Sequence, residues 1–155
     1  MVAKIVIGFL AGVLSVLIIH QPVLMLFKSI GWIAQFTPYN TAPFAGAPAM
    51  IKTVFAPLGG FPIIANLMFW GGVWGALFAL IYRMFPGPMI VKGVLFGLAL
   101  VILSNWIVLP YLRGQPLFAG YDVLRLMVGG LLQMAFGAGI AIFYSLLRRE
   151  EMAMA

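Results

Sequence analysis

The sequence predicts an all-α integral membrane protein, a bundle of four transmembrane helices in a single domain over residues 1–155. Two observations predict this fold class. Hydrophobic residues make up 65% of the chain and charged residues 8%, whereas about 25% charged residues is usual in a soluble domain. The apolar residues also form four runs long enough to cross a bilayer, which takes about 20 residues. Lipid is therefore the expected surrounding of most of the chain.

The four predicted spans follow one another along the chain. They are Ile5–Phe27, Pro62–Tyr82, Val91–Leu112 and Val123–Leu147. We expect the first to be a retained signal anchor, because its charged start holds a single lysine and no small-residue cleavage site precedes Gln21. A cleaved signal peptide would also have a shorter apolar run.

The connections between the spans differ in length and character. The rigid turn Phe85–Pro88 makes spans two and three antiparallel neighbours. The connection RGQPLFAGYD is a compact outer turn in which Asp122 can cap the start of span four. Residues 28–61 form a long outer loop that is too rich in Trp, Phe, Ile and Pro for disorder. We expect this loop to lie on the outer interface or over the bundle as a lid.

The basic residues predict the direction of the spans. Both termini lie on one side with five of the nine lysines and arginines, and the other side has four. Arg83 and Lys92 flank the tightest turn, and short loops carry the most weight in the positive-inside rule. We therefore expect a multi-pass membrane protein with both termini cytoplasmic. The net charge of +6 does not predict nucleic-acid binding, since the basic residues stand singly at span ends.

Two pairs of spans carry a weak internal repeat. Lys4 and Pro22 bracket span one with the spacing by which Lys92 and Pro110 bracket span three. Spans two and four share the pattern G-A-x-x-A-x-x-Y. One interpretation is a two-helix unit used twice around a pseudo-two-fold axis along the membrane normal. The other is that lysines and prolines mark the entry and exit of any span.

Small residues recur at four-residue spacing in the predicted spans. GxxxG patterns let helix backbones approach closely, because glycine has no side chain to hold them apart. The predicted packing positions are Gly8, Gly12, Gly71, Gly75, Gly93, Gly97 and, with Ala135, Gly139. Most of them fall in the middle or toward the end that carries the termini. We expect association through these faces in a homo-oligomer or a larger membrane complex.

Polar residues of the spans fall toward the opposite end. An unpartnered polar group in hydrocarbon costs several kcal/mol, so these side chains should face each other or water. They predict an outer polar pocket, whose candidate ligand-binding residues are His20, Gln21, Asn66, Asn105, Arg113, Asp122 and Arg125. Pro22 is predicted to free the carbonyl four residues earlier, that of Ile18.

Three interpretations of this pocket stay open. The polar side chains bond helices to one another at about 1 kcal/mol per bond, or they bind a ligand or ion, the usual meaning of an ionisable residue within a span. In the third, His20 ligates a haem whose second axial ligand is a methionine or comes from another subunit. The i,i+3 spacing of Asp122 and Arg125 predicts an ion pair at the helix start, and Arg113 is expected to anchor a headgroup.

The sequence offers no catalytic or metal-binding constellation. It has one histidine, no cysteine and three carboxylates, all near helix ends. These residues cannot supply a nucleophile with its base, a paired-carboxylate site or a two-histidine metal motif. We therefore expect a non-enzymatic protein without metal or cofactor, an accessory or structural subunit that associates through its glycine faces. The alternative is a small transporter or a ligand- or lipid-binding membrane protein that uses the pocket around His20.

The runs FWGGVWGALFALIYRMFPGP, KGVLFGLALVILSNWIVLP and RGQPLFAG resemble a family of small four-helix inner-membrane proteins of proteobacteria. That family carries only a domain-of-unknown-function label. The shared features are a W-G-x-x-W/F-G helix, a P-G turn, a K-G-x-x-F-G helix start and a small-residue fourth helix. The resemblance covers about residues 62–147, and HQP and PY…AP extend it forward. It implies the four-helix architecture and brings no activity, substrate or cofactor.

Overall fold

The computed structural model of the chain describes residues 2–112 and 114–154, with side chains through residue 149, and it is all-α. A short helix, α2 (Ala49–Phe55), lies in the long loop. Within the described ranges four helices are long and apolar enough to span a membrane: α1 (Val2–Ser29), α3 (Ile63–Met84), α4 (Met89–Leu112) and α5 (Val123–Met154). The predicted fold class is confirmed. The first span begins three residues earlier than predicted. The last span ends at Arg149, two residues later than predicted, and its helix continues to Met154.

The four long helices run alternately up and down. Contacts join the start of α1 to the end of α3 and the start of α4 to the end of α5, so each of these pairs is antiparallel. The chain therefore has a termini end, where α1 and α4 begin, and a loop end, where α3 and α5 begin. We use these two names below.

Helices α1 and α3 meet backbone to backbone through glycine. A Cβ atom placed on Gly8 would lie 2.5 Å from the Gly75 carbonyl oxygen, and one on Gly12 would lie 2.7 Å from the Gly71 carbonyl carbon. Real Cβ atoms essentially never come this close, so a glycine is required at each crossing point. The GxxxG patterns of spans one and two therefore form one contact within the chain.

Helices α4 and α5 repeat this arrangement. A Cβ on Gly93 would lie 2.6 Å from the Ala141 Cβ, and one on Gly97 would lie 2.7 Å from the Gln133 carbonyl carbon. A Cβ on Gly137 would lie 2.8 Å from the Gly97 nitrogen. The fourth-span residues on this face are thus Gln133, Gly137 and Ala141, whereas the predicted small residue Gly139 packs on α1. Since both glycine faces are filled by the chain's own helices, they are not open to another subunit.

The two helix pairs match each other in a register that the sequence pattern misplaces. Gly8 and Gly93 occupy equivalent positions and are 85 residues apart, whereas Lys4 and Lys92, the pair predicted to correspond, are 88 apart. The lysine–proline register of spans one and three is therefore wrong by three residues, close to one helical turn. Basic residues mark where a span meets headgroups, and this boundary need not follow the helix packing.

The pseudo-two-fold symmetry holds for the contacts within the pairs α1–α3 and α4–α5, but not for the contacts between the pairs. Ser15 of α1 lies against Gly139 of α5, and the Ser15 hydroxyl donates a 2.6 Å hydrogen bond to the Phe136 carbonyl. The equivalent contact between α3 and α4 has bulky residues, and these helices meet through the Phe78 and Phe96 rings, 5.3 Å apart. Helices α1 and α5 are therefore in close backbone contact, while α3 and α4 are spaced by side chains.

Both α1 and α4 contain a π-helical segment, at Val16–His20 and Val101–Val108. In a π register each N–H bonds to the carbonyl five residues earlier, and the partner of the Leu17 carbonyl would be residue 22. That residue is Pro22, which has no N–H. The Tyr39 hydroxyl donates to the Leu17 carbonyl instead, at 3.0 Å.

The carbonyl that finds a side-chain donor is thus that of Leu17, one residue before the predicted Ile18. The prediction assumed α-helical hydrogen bonding at Pro22. In the π segment, the carbonyl that Pro22 leaves without an N–H donor lies one residue earlier.

Residues 30–48, which we call the strap, fold back over the loop end of α1. The Tyr39 N–H donates to Gln21 Oε1 at 3.0 Å, and Lys28 Nζ donates to the Phe36 carbonyl at 2.9 Å. The strap also supplies carbonyls to the first turn of α3, where Ile64 N–H bonds to the Asn40 carbonyl. Helix starts leave such donors without intrahelical partners. The long loop therefore packs on the bundle as the predicted lid would.

We expect Tyr39→Phe to loosen the strap, because it removes the hydroxyl bonded to Leu17 and keeps the ring. Cleavage by chymotrypsin within residues 37–50 should become about fivefold faster, the factor that corresponds to about 1 kcal/mol for one hydrogen bond. Tyr121→Phe is the control, since Tyr121 is 77% exposed. Free cleavage throughout residues 37–50 of the unmodified protein would contradict a packed strap.

Candidate functional site

A cleft of about 430 Å³ lies at the loop end between α1, the strap and the start of α3. We call it the loop-end cleft. Its apolar walls are Leu24, Phe36, Ile63 and Leu67. Its polar side chains are His20, Gln21, Gln35, Thr37 and Asn40. The cleft combines an apolar wall with a few convergent polar groups, which is typical of a small-ligand site.

Gln21 is the most enclosed polar side chain of the cleft. Only 1% of its surface is exposed. Its Oε1 accepts the hydrogen bond from the Tyr39 N–H, while its Nε2 has neither solvent contact nor a hydrogen-bond partner among the described residues. A buried amide nitrogen without a partner costs about 1–3 kcal/mol. One half of the carboxamide therefore holds the strap, and the other half is left with two unused donors.

His20 lies beside Gln21 at the inner edge of the cleft. Its Nδ1 is buried without a hydrogen-bond partner, and its ring packs edge-on against Phe136 with the centroids 6.1 Å apart. The rest of the ring is only partly covered. His20 thus faces the bundle interior and the cleft, as predicted, and does not point out at lipid.

A second, smaller space of about 110 Å³ adjoins the cleft between α3 and α5, with α1 as its floor. We call it the lateral groove. It shares His20 and Leu67 with the loop-end cleft. Its other lining residues are Val16, Trp70, Gly71, Trp74, Gln133 and Phe136. Trp70 is 51% exposed at the outer surface of the bundle. The polar cleft and the more aromatic groove therefore meet at His20, and the groove opens sideways.

Asp122 and Arg125 lie in a different place. Asp122 Oδ1 accepts the Arg125 N–H at 3.0 Å, and its Oδ2 is 3.8 Å from Arg125 Nε. The predicted helix cap and ion pair are both confirmed. These residues line a separate space of about 310 Å³ with Trp32 and Ile33 of the strap. They do not join His20 in one pocket.

The remaining candidates also lie away from the loop-end cleft. Asn105 is exposed, and its Oδ1 lies 3.2 Å from the Ser104 hydroxyl. Asn66 is half-buried in the first turn of α3 but lines neither the cleft nor the lateral groove. Arg113 lies outside the described residues. Of the six predicted residues that the structure describes, His20 and Gln21 alone line the loop-end cleft, while Asp122 and Arg125 meet in the separate space.

The separation of His20 from Asn105 follows from the repeat. The two residues are 85 positions apart, and each lies in the π segment of its helix. Residues related by a two-fold axis occupy equivalent places in different halves of the bundle. His20 and Asn105 are therefore counterparts and not neighbours.

Sequence reasoning missed the strap's share of the site. Gln35, Thr37 and Asn40 line the loop-end cleft, and Tyr39 fixes Gln21. The run Q-F-T-P-Y-N is the most polar stretch of the long loop, and this signal could have pointed to it. No family model, no curated protein and no solved structure matches this chain.

Proposed function

We propose that the protein binds a small ligand in the loop-end cleft and acts as a small transporter or binding protein, without catalysing a reaction. The observation that supports this is the Gln21 carboxamide, enclosed by the strap and unpartnered at its nitrogen beside a cleft of about 430 Å³. Ligand pockets are commonly about 300–1,000 Å³. Both free nitrogens, Gln21 Nε2 and His20 Nδ1, are buried, so a ligand in the cleft reaches them only when their side chains rotate or the strap shifts.

A purely structural role of His20 and Gln21 has less support. Interhelical hydrogen bonds would relieve the cost of burying these groups, yet no described residue bonds to His20 Nδ1 or Gln21 Nε2. A ligand with hydrogen-bonding atoms would satisfy both. Binding therefore accounts for groups that packing leaves without partners.

Association through the glycine faces, the role expected first from the sequence, has less support. Gly12 and Gly97 are each in contact with the backbone of a neighbouring helix of the same chain. A complex with other subunits would have to use the outer surfaces of the bundle. The glycine patterns therefore support folding of the single chain.

We further propose that the protein resides in a bacterial inner membrane with both termini cytoplasmic. Arg83 and Lys92, close to the short turn at the termini end, support this direction. In this orientation the loop-end cleft and its strap face the periplasm. The resemblance to small inner-membrane proteins over residues 62–147 supports the same location.

The test is to purify the protein from its native membrane in a mild detergent and to analyse an organic extract by mass spectrometry. We expect a small molecule retained at close to one per chain, and we expect Gln21→Met to retain about tenfold less, because it removes hydrogen bonds worth about 1.5 kcal/mol. Asn105→Leu is the matched control, since Asn105 is the repeat counterpart of His20 and lies outside the cleft. A protein that is folded and retains no molecule would contradict the proposal.

A further inference from the structure

The loop-end cleft and the lateral groove differ in chemistry, although they share His20 and Leu67. Polar side chains from α1 and the strap line the cleft. Rings and aliphatic side chains form most of the groove, where Trp70, Trp74 and Phe136 come from α3 and α5. Gln133 of α5 is its one polar lining residue besides His20. A ligand that fills both spaces must itself have a polar and an apolar part.

The polar part of such a ligand must be uncharged. The residues that line the cleft include no lysine, arginine, aspartate or glutamate. Lys28 Nζ donates to the Phe36 carbonyl at 2.9 Å, but the Lys28 side chain does not line the cleft. A charged head would therefore lie against a lining that offers it no counter-charge, which favours an uncharged head. Once the Gln21 side chain rotates toward the cleft, its Nε2 offers two N–H donors, so the head should carry acceptor oxygens.

The lateral groove gives the apolar part a route from the bilayer. Helices α3 and α5 make few contacts with each other, and Trp70 is 51% exposed at this side of the bundle. The groove, at about 110 Å³, holds only a short length of hydrocarbon chain. The rest of a longer chain would extend between α3 and α5 into the lipid.

We infer that the ligand is an uncharged amphiphile from the bilayer, with its acceptor-bearing head in the loop-end cleft and its hydrocarbon tail in the lateral groove. This inference rests on the proposed function, since it names the class of molecule that the cleft binds. The head of such a molecule accepts hydrogen bonds from Gln21 and meets the His20 ring. The tail passes Leu67 and packs against Trp70 and Trp74.

The test uses a matched pair of probes that differ only in the head: the methyl ester of a dibrominated fatty acid, and the same acid as its ionised carboxylate. Bromine quenches tryptophan fluorescence only at contact, so a brominated tail in the groove lowers the fluorescence of Trp70 and Trp74. With the full-length protein in lipid nanodiscs, we expect saturable quenching by the ester. The carboxylate, at a pH where it is ionised, should bind about tenfold more weakly or show only a linear background.

Variants separate binding from non-specific contact with lipid. Gln21→Met should weaken binding of the ester by about tenfold. His20→Ala provides a second variant if Gln21→Met does not fold. Asn105→Leu should leave the curve unchanged. Trp70→Phe combined with Trp74→Phe should abolish the saturable part, because the remaining tryptophans, Trp32 and Trp106, do not line the groove.

The outcomes distinguish this inference from the proposed function. Equal binding of ester and carboxylate, or saturable quenching that survives the double tryptophan variant, would overturn the inference. The same holds if the extracted ligand is a tail-less or charged molecule, and in that case the proposed function stands. If no molecule is retained and neither probe saturates, both are wrong.

Discussion

Gly12→Ala is expected to lower the stability of the bundle more than almost any other single-methyl change. The new Cβ would lie 2.7 Å from the Gly71 carbonyl carbon and closer still to its oxygen, and backbone cannot rotate away as a side chain can. Overpacking typically costs about 1–3 kcal/mol, and a rigid contact belongs at the upper end of this range or beyond it. The midpoint of thermal unfolding in detergent should fall by about 2–4 °C per kcal/mol for a chain of this size.

The repeat and the other glycines provide sharp controls. Gly97→Ala, the counterpart of Gly12→Ala, should be destabilising by a similar amount. Gly130→Ala should be neutral or stabilising, because its Cβ would come no closer than 3.8 Å to Trp106 and alanine is favoured over glycine in a helix by about 1 kcal/mol. Equal effects at Gly12 and Gly130 would contradict the close α1–α3 contact. Loss of a larger complex without loss of monomer stability would indicate that the glycine faces act between subunits.

Ser15→Leu is the second change for which we expect a large effect. Ser15 is fully buried where α1 crosses α5, and the Gly139 backbone leaves no room above it. A leucine there must push the two helices apart, at about 1–3 kcal/mol or more, and it removes the hydroxyl bonded to the Phe136 carbonyl. Because Phe136 also packs on His20, we expect ligand retention to fall together with the unfolding midpoint.

Two related variants check the cause of that effect. Ser15→Ala loses the hydrogen bond without adding volume, and it should cost only about 1 kcal/mol or less. Ser29→Leu places the same larger side chain at an exposed position and should leave the midpoint nearly unchanged. If Ser15→Ala were as damaging as Ser15→Leu, the hydrogen bond and not the close approach would determine the crossing.

Helix length and local caps were predictable because they depend on neighbouring residues. Runs of about 20 apolar residues are visible directly in the sequence. The Asp122 cap of α5 needs only a side chain three residues from its partner. The tight turn at Phe85–Pro88 likewise follows from proline and glycine at adjacent positions. Each of these features is local in the chain, and each appears in the structure where the sequence places it.

Contacts between distant residues were predicted only in kind. Glycine patterns indicated close helix packing, but they carry no information on the partner, so a face between subunits looked the same as one between α1 and α3. The pattern also selected Gly139 for the α5 face, whereas Gln133 and Gly137 form the contact with α4. A backbone contact needs a small residue on one side and merely an available carbonyl on the other, which is why Gln133 escapes a search for small residues.

In the candidate site, too, proximity in the chain was predictable and proximity between helices was not. His20 and Gln21 are adjacent in the chain, so any fold of α1 keeps them together, and the structure places both at the loop-end cleft. Asn105 and Arg125 share with them only a depth in the bundle. Depth follows from the count of residues along each span, but the direction in which a side chain points depends on helix rotation, and the π segments change that rotation.

Composition and apolar periodicity alone determined that the chain forms four long helices suited to lipid, since the number and length of apolar runs leave no other fold that satisfies their backbone groups in a membrane. Tertiary structure decided which faces meet, in which register, and where the strap crosses α1. These outcomes depend on close contacts of a few atoms between residues far apart in the chain, such as Gly12 with Gly71 and Tyr39 with Leu17. Such contacts arise only when the helices pack, and the polar cleft beside His20 arises with them.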